Sequence, residues 1–187
     1  MTRLFAAVAV AALLASPAMA ALKTGEKAPD FTLPAALAGK DFTFDLASAL
    51  KKGPVVVYFY PKAFTSGCSA EAHEFAEHMD EFKALGASVI GVSGDKIASL
   101  ESFSQKDCGS KFPVAADTNG EVIGKYDVAL PGMLAKTALQ LDHASNRTSF
   151  LVAPDGTVVA VHSATDFSKH VSSMIEALKA WKASSKA

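Results

Sequence analysis

Cys68 stands where the sequence favours a reactive thiol. The segment Pro54–Tyr60 is β-branched and aromatic throughout, which is typical of a buried strand, and Cys68 follows it after seven residues. From Gly67 onward, apolar residues recur at three- and four-residue spacings, which predicts a helix beginning beside the cysteine. First-turn amides of a helix lack internal partners and favour negative charge, so a thiol placed there ionises more easily and becomes a nucleophile. Position alone leaves a second interpretation, a small buried cysteine filling a gap between helix and sheet.

Cys108 is the other of the two cysteines in the chain. It follows a predicted helix at 97–106, in the run Lys106-Asp107-Cys108-Gly109. If the chain is exported, as its amino terminus indicates below, the two cysteines form either one structural disulfide or a redox-active pair. The carboxyl end of a helix does nothing to favour a thiolate at Cys108. The residues alone leave both interpretations of the pair open.

The order of predicted elements indicates an α/β fold. Alternating apolar and polar residues at 31–33 and 41–44, around a turn at Gly39-Lys40, predict an N-terminal hairpin. Further predicted elements are a strand at 54–60, a helix at 67–85, a strand at 88–93, a helix at 97–106, a short strand at 112–115, a short helix at 119–127, a hairpin of 150–153 and 157–162, and a closing helix with Phe167 and Trp181 on its buried face. This order predicts a thioredoxin-like sandwich, a central mixed β-sheet flanked by helices with an N-terminal β-hairpin extension. The segment 132–139 fits an interface, a pocket rim or simple packing equally well.

The amino terminus predicts a secretory signal peptide. Arg3 is followed by an unbroken apolar run at 4–14 and by Ala18-Met19-Ala20, an Ala-x-Ala pattern. The run is too short to span a bilayer comfortably, although an uncleaved anchor or a core helix is the alternative. We therefore expect a signal peptide at 1–20, a thioredoxin-like domain at 21–187, and a secreted, periplasmic protein.

Composition excludes several kinds of partner. The chain carries 18 basic and 19 acidic residues, with no basic tract, so neither nucleic acid nor an anionic membrane surface is expected to bind. No second apolar segment approaches membrane-spanning length. The five histidines lack a convincing ligand spacing, so no metal and no cofactor is predicted.

Three landmarks carry a resemblance to a known family. Pro61, Thr65 and Cys68 form a P-x-x-x-T-x-x-C arrangement, preceded by the opening segment 25–34 (GEKAPDFTLP) and followed by Arg147-Thr148-Ser149-Phe150 and the turn Asp155-Gly156. In these spacings and in this order the chain resembles the peroxiredoxins, and the landmarks span residues 22–162. The resemblance implies a thiol-dependent peroxidase that reduces hydrogen peroxide and organic hydroperoxides through a Cys68 sulfenic acid.

The resemblance also implies a role for each residue of the motif. Attack on a peroxide moves negative charge from sulfur to the departing oxygen, so Arg147 is expected to hold both the thiolate and the peroxide with its fixed donors. Thr65 is expected to hydrogen-bond the peroxide, and Pro61, which has no N–H, to wall the pocket against water. Taken singly, Arg147 fits a surface arginine, Thr65 a helix cap and Pro61 a strand terminator.

Within the family, the run 65–72 is most similar to the Q-type (bacterioferritin-comigratory) branch. Many of its members carry a resolving cysteine five residues after the nucleophile, where this chain has His73, best interpreted as an exposed helix histidine. Other members use a cysteine in or near the second helix, so the resemblance implies that Cys108 resolves the sulfenic acid as an intramolecular disulfide. An external thioredoxin-like dithiol protein would then reduce the bridge. A one-cysteine cycle with a passive Cys108 is the alternative, and the expected assembly is a monomer or a homodimer.

Two other functions fit the same fold. An exported thiol–disulfide oxidoreductase needs a C-x-x-C pair, and Cys68-Ser69-Ala70-Glu71 lacks the second cysteine. A non-catalytic thioredoxin-fold module would use Cys68 and Cys108 as a permanent structural disulfide.

Overall fold

A seven-stranded mixed sheet lies at the centre of the computed structural model, which describes residues 21–185. The strands are β1 (Thr32–Leu37), β2 (Lys40–Asp45), β3 (Val55–Phe59), β4 (Ser88–Ser93), β5 (Val114–Ala116), β6 (Thr148–Val152) and β7 (Val158–Ser163). Their order in the sheet is β2-β1-β5-β4-β3-β6-β7. The helices are α1 (Leu46–Leu50), α2 (Ser66–Glu77), α3 (Met79–Ala84), α4 (Ile97–Lys106), α5 (Glu121–Lys125), α6 (Gly132–Leu134) and α7 (His170–Ser184). The predicted signal peptide at 1–20 lies outside the described residues.

The strand β3 is buried along its whole length, as its continuous apolar run predicts. It pairs in parallel with β4 and antiparallel with β6. Val56 and Tyr58 point into the core formed with α2, α3, α4 and α7, whereas Val57 and Phe59 point into the core on the opposite face, with α1 and α5. Because successive side chains of a strand alternate between faces, one strand supplies both layers. The predicted sandwich and its flanking helices are confirmed.

The N-terminal hairpin is also confirmed. β1 and β2 pair antiparallel from Thr32 opposite Asp45 to Leu37 opposite Lys40, and β1 joins the sheet through β5. The turn lies at Ala38 and Gly39, both with positive φ, which is one residue earlier than predicted.

The prediction of a single helix at 67–85 is wrong in one respect. The structure divides this segment at His78 into two helices, α2 and α3. His78 has φ −95° and ψ 4°, and its ring Nδ1 lies 2.9 Å from the carbonyl oxygen of Glu74. This side-chain contact competes with the helical ladder at that carbonyl. Met79 and Phe82 nevertheless stay buried, so the apolar spacing continues across the break and conceals it in the sequence.

The closing helix starts later than predicted. It begins at His170, so Phe167 lies before it and is only half-buried, and Trp181 near its end is also half-buried. The ambiguous segment 132–139 forms α6 followed by a π-helical turn at Ala135–Leu139. Within residues 21–185, no helix combines the length and the apolar character needed to cross a membrane. Those residues also hold no cluster of three or more potential metal ligands.

Candidate active site

Cys68 lies in the first turn of α2 and is 2% exposed. Thr65 is the N-cap residue, with φ −82° and ψ 146°, but its side chain does not cap the helix. Its hydroxyl instead donates to the carbonyl oxygen of Lys62 at 2.9 Å. The side chain of Thr65 therefore leaves the first-turn amides available to donate hydrogen bonds to a ligand. The Thr65 oxygen can in turn accept a hydrogen bond from that ligand.

Arg147 reaches Cys68 from the residue before β6, 79 positions away in the sequence. Its Nη2 donates to Cys68 Sγ at 3.5 Å, and its Nε donates to the carbonyl oxygen of Thr165 at 3.1 Å. The β3–β6 pairing explains the encounter, because Phe59, the last residue of β3, lies opposite Thr148, the first residue of β6. The loop that leaves β3 towards Cys68 therefore passes directly by Arg147. A guanidinium at this place, 9% exposed, stabilises negative charge on sulfur in a site of low solvent access.

Glu71 is a site residue that the sequence analysis did not identify. Its side chain is fully buried, and it accepts an ion-paired hydrogen bond from Arg147 Nη1. Burial raises the pKa of Glu71 to about 7, although Arg147 acts in the opposite direction. The available signal was its spacing: it follows Cys68 by three residues, so both side chains lie on one face of α2. Glu71 thus orients the guanidinium that contacts the sulfur.

Gly67 lets Arg147 approach the helix closely. A Cβ atom at this position would lie 3.3 Å from Arg147 Nη2, closer than side-chain carbons normally sit. A side chain at this position would therefore require the guanidinium to move away from the helix by a few tenths of an ångström.

The loop between β3 and α2 is held from the neighbouring strand. Asp95, just after β4, accepts a hydrogen bond from the amide of Ala63 at 2.8 Å and another from the hydroxyl of Ser93 at 2.9 Å. Phe64 takes a positive φ of 62°, which is uncommon for a residue with a side chain and bends the chain into the helix. Pro61 lies half-buried in the same loop. Asp95 is a second residue that the sequence analysis missed.

Cys108 lies outside this cluster. It follows Asp107, the C-cap residue of α4, is fully buried, and forms no disulfide with Cys68. Burial raises the pKa of the Cys108 thiol, and the nearby Asp107 raises it further. The adjoining Gly109 approaches α2 at Ala76, where a Cβ on the glycine would lie 3.8 Å from the alanine Cβ. Ala76 is eight residues beyond Cys68, about 12 Å along the helix axis.

His73 stands where the family resemblance raised the expectation of a resolving cysteine, five residues after Cys68. Its ring is largely exposed, and Nε2 lies 4.0 Å from a carboxylate oxygen of Asp107. An exposed helix histidine is what the sequence analysis expected at this position. The side of α2 that carries His73 faces the loop that contains Cys108.

The arrangement of Cys68, Arg147 and the open helix terminus can activate a sulfur nucleophile and stabilise a departing oxygen anion. The groove of about 720 Å³ beside β2, lined by Phe42, Lys52 and Lys83 among others, contains none of these residues. A peroxide is only a few atoms long and needs no groove of that size.

Comparison with known proteins identifies relatives along most of the chain. A protein-family model described as "AhpC/TSA family" matches residues 24–161. Peroxiredoxin Bcp of Xanthomonas campestris pv. campestris is 34% identical over 150 residues, which covers 74% of this chain and 91% of the relative. Peroxiredoxin Bcp of Escherichia coli K12 is 32% identical over 159 residues, covering 84% of this chain and 96% of the relative.

Comparison with solved structures also identifies proteins of this kind as similar to the chain. The crystal structure of peroxidoxin BcpB from Mycobacterium tuberculosis superposes with a TM-score of 0.75 at 31% identity, covering 85% of this chain and 97% of that one. PrxQ from Xylella fastidiosa, solved as a cysteine-to-serine mutant, gives a TM-score of 0.73 at 28% identity and covers 87% and 99% of the two chains. These comparisons confirm the resemblance stated from the sequence and do not favour an oxidoreductase of the C-x-x-C type or a non-catalytic module.

Proposed function

The chain belongs to the AhpC/TSA family, and we propose that it reduces hydrogen peroxide and organic hydroperoxides through the thiolate of Cys68. Its relatives are peroxiredoxins, so the chain is a thiol peroxidase. The observation that supports the assignment of Cys68 is its contact with Arg147, Nη2 to Sγ at 3.5 Å, at the open first turn of α2.

In the proposed chemical step, the thiolate attacks one oxygen of the peroxide. An S–O bond forms, the O–O bond breaks, and the departing hydroxide or alkoxide takes up a proton, leaving a sulfenic acid on Cys68. Arg147 stabilises the negative charge as it moves from sulfur to oxygen. Thr65 accepts a hydrogen bond from the peroxide O–H, because the Thr65 proton is already donated to Lys62.

In the proposed second step, the Cys108 thiol attacks the sulfenic acid, an S–S bond forms and water leaves. A disulfide needs the two Cα atoms to lie within about 7 Å of each other. Cys108 lies near the far end of α2, so Cys68 and Cys108 must move closer together before the bridge can form. Unwinding of the first turns of α2 is the motion that supplies the approach. It also brings the buried Cys108 thiol into contact with water, where it ionises more easily. A dithiol protein of thioredoxin type would then reduce the bridge by thiol–disulfide exchange.

Mass spectrometry after one equivalent of peroxide tests this cycle. Wild-type protein is expected to lose two hydrogens, Cys108→Ser to gain one oxygen, and Cys68→Ser to remain unchanged. An oxygen gained by wild-type protein, with no loss of hydrogens, would instead identify a one-cysteine cycle. Stopped-flow consumption of hydrogen peroxide and of an alkyl hydroperoxide by the three proteins then gives the substrate preference. Rapid oxidation of Cys68→Ser would contradict the assignment of the nucleophile.

We also propose that the chain is exported and cleaved after Ala20, on the sequence pattern described above. Amino-terminal sequencing of protein from a periplasmic fraction is expected to start at Ala21. Recovery of the intact chain from the cytoplasm would contradict the proposal.

A further inference from the structure

Glu71 and His170 form a buried pair behind Arg147. Both side chains are fully buried, and Nδ1 of His170 lies 3.6 Å from Oε1 of Glu71. The other carboxylate oxygen, Oε2, is bound by Arg147. Oε1 has no hydrogen-bond partner among the described residues, although it is sealed from solvent. An unpaired carboxylate oxygen in such a place carries a large desolvation cost.

The contacts of the His170 ring determine where its protons lie. Nε2 lies 3.1 Å from the carbonyl oxygen of Ala164, which can only accept, so Nε2 carries a hydrogen. In a neutral ring, Nδ1 then presents a lone pair both to the Ser149 hydroxyl, at 2.8 Å, and to Oε1 of Glu71. A lone pair facing a carboxylate oxygen in a dry site is repulsive, and one proton on either atom makes the contact attractive.

The environment places that proton on the carboxyl group. Burial raises the pKa of Glu71 to about 7, and burial lowers the pKa of His170 to about 4. The groups that face the pair come from every adjoining element: Cys68 and Glu74 from α2, Tyr58 from β3, Arg147 before β6, His162 from β7, and Asp166 before α7. With a thiolate at Cys68, the charges of sulfur and guanidinium cancel, and an ionised Glu71 beside a neutral His170 would leave one buried negative charge in excess.

We propose that the Glu71–His170 pair holds one proton while Cys68 is a thiolate and releases it when Cys68 loses its charge. Removal of the sulfur charge leaves Arg147 as the buried ion in direct contact with Glu71, and the guanidinium then favours the carboxylate form of Glu71. The buried cluster stays neutral in both states. Glu71 and His170 are positioning residues here, because they act on the sulfur through Arg147.

The inference rests on the proposed thiolate chemistry and extends it to the proton balance. Oxidation of the thiolate to a sulfenic acid forms an S–O bond, breaks the O–O bond and consumes one proton as hydroxide becomes water. Release of the proton held by the pair supplies this demand. Net proton uptake from solution per Cys68 oxidised is therefore below one near neutral pH.

Alkylation measures the released proton without requiring any peroxidase activity. In the Cys108→Ser background, iodoacetamide forms a C–S bond at Cys68 and expels iodide, so a preformed thiolate takes up no proton. The protons released are counted with a pH indicator in weak buffer across a pH series. The fraction of thiol before reaction is measured on the same samples from thiolate absorbance. We expect more protons to be released than the thiol fraction accounts for, with a maximum of this excess near neutral pH.

Variants assign the excess to the pair. Glu71→Gln is expected to abolish it, and His170→Asn is expected to move its maximum to a different pH. Glu77→Gln, an exposed carboxylate on the same helix, and His78→Gln are expected to leave it unchanged. Proton release that equals the thiol fraction at every pH in the Cys108→Ser protein overturns the inference, even where the variants do not fold. An unmoved maximum in folded His170→Asn overturns the part assigned to His170. Absence of any thiolate at Cys68 would instead contradict the proposed function.

Discussion

Replacing Glu71 with glutamine removes a buried titratable group while it retains the shape of the side chain. The pKa of Glu71 is raised by burial from an ordinary 4.5 to about 7, so the folded chain keeps a proton that the unfolded chain releases in this interval. This contribution to stability is therefore fully present below pH 4.5 and is lost as the pH rises through 7. At about 1.4 kcal/mol for each pH unit of difference, the contribution is on the order of 3 kcal/mol.

Chemical unfolding of the reduced proteins tests this value. We expect the advantage of wild type over Glu71→Gln in free energy of unfolding to grow by on the order of 3 kcal/mol between about pH 8 and pH 4.5. Urea titrations followed by circular dichroism give both curves, and subtracting one from the other cancels the titrating groups that do not contact Glu71. Glu77→Gln serves as the matched control and is expected to show a small difference at all pH values. A difference between wild type and Glu71→Gln that stays constant, or shrinks on acidification, would refute a protonated buried Glu71.

Three further substitutions test the site and its surroundings. Arg147→Lys replaces the fixed donors of a guanidinium by a point charge, so the rate of oxidation by hydrogen peroxide, measured by stopped flow, should fall by about 10²- to 10³-fold. A fall in rate of less than about tenfold would contradict the role of the guanidinium geometry. Gly67→Ala places a Cβ 3.3 Å from Arg147 Nη2, so the same rate should fall by about tenfold. The urea midpoint of this variant should stay or rise, because alanine favours helix; a lower midpoint at full activity would contradict the steric argument. The Tyr58 hydroxyl is buried without a partner among the described residues, so Tyr58→Phe should leave the free energy of unfolding unchanged or raise it by about 1 kcal/mol, and a clear decrease would reveal a partner.

Local patterns in the sequence predicted the elements well, because each element depends on its own residues. The continuous apolar run of β3 and the helical spacing after Gly67 are properties of short segments. β3 forms where it was expected and α2 begins where it was expected, although α2 ends at Glu77 and a second helix follows. The contact between Cys68 and Arg147 depends on the register of β3 with β6, which no local pattern encodes. Family resemblance supplied Arg147 as a candidate instead.

The residues that the sequence analysis missed show the same limit. Glu71 belongs to the buried stripe of α2 together with Ala72 and Phe75. A carboxylate in an apolar stripe needs a buried partner, and this was a usable signal. Its partners could not be named from the sequence, because Arg147, just before β6, and His170, at the start of α7, lie far along the chain. Asp95 gave no comparable signal, because an acidic residue after a strand is usually solvated.

The contacts that favour a thiolate also oppose the proposed resolving step. Arg147 ties Cys68 and Glu71 together across the first two turns of α2, and those turns must unwind for Cys68 to meet Cys108. Conversion of the thiolate to a sulfenic acid removes the charge that the guanidinium contacts, so this restraint weakens only after the peroxide has reacted. The order of events in the proposed cycle then follows from electrostatics. In this proposal, the helix terminus stays folded while it is needed to activate the sulfur, and it becomes easier to unwind once the sulfur has been oxidised.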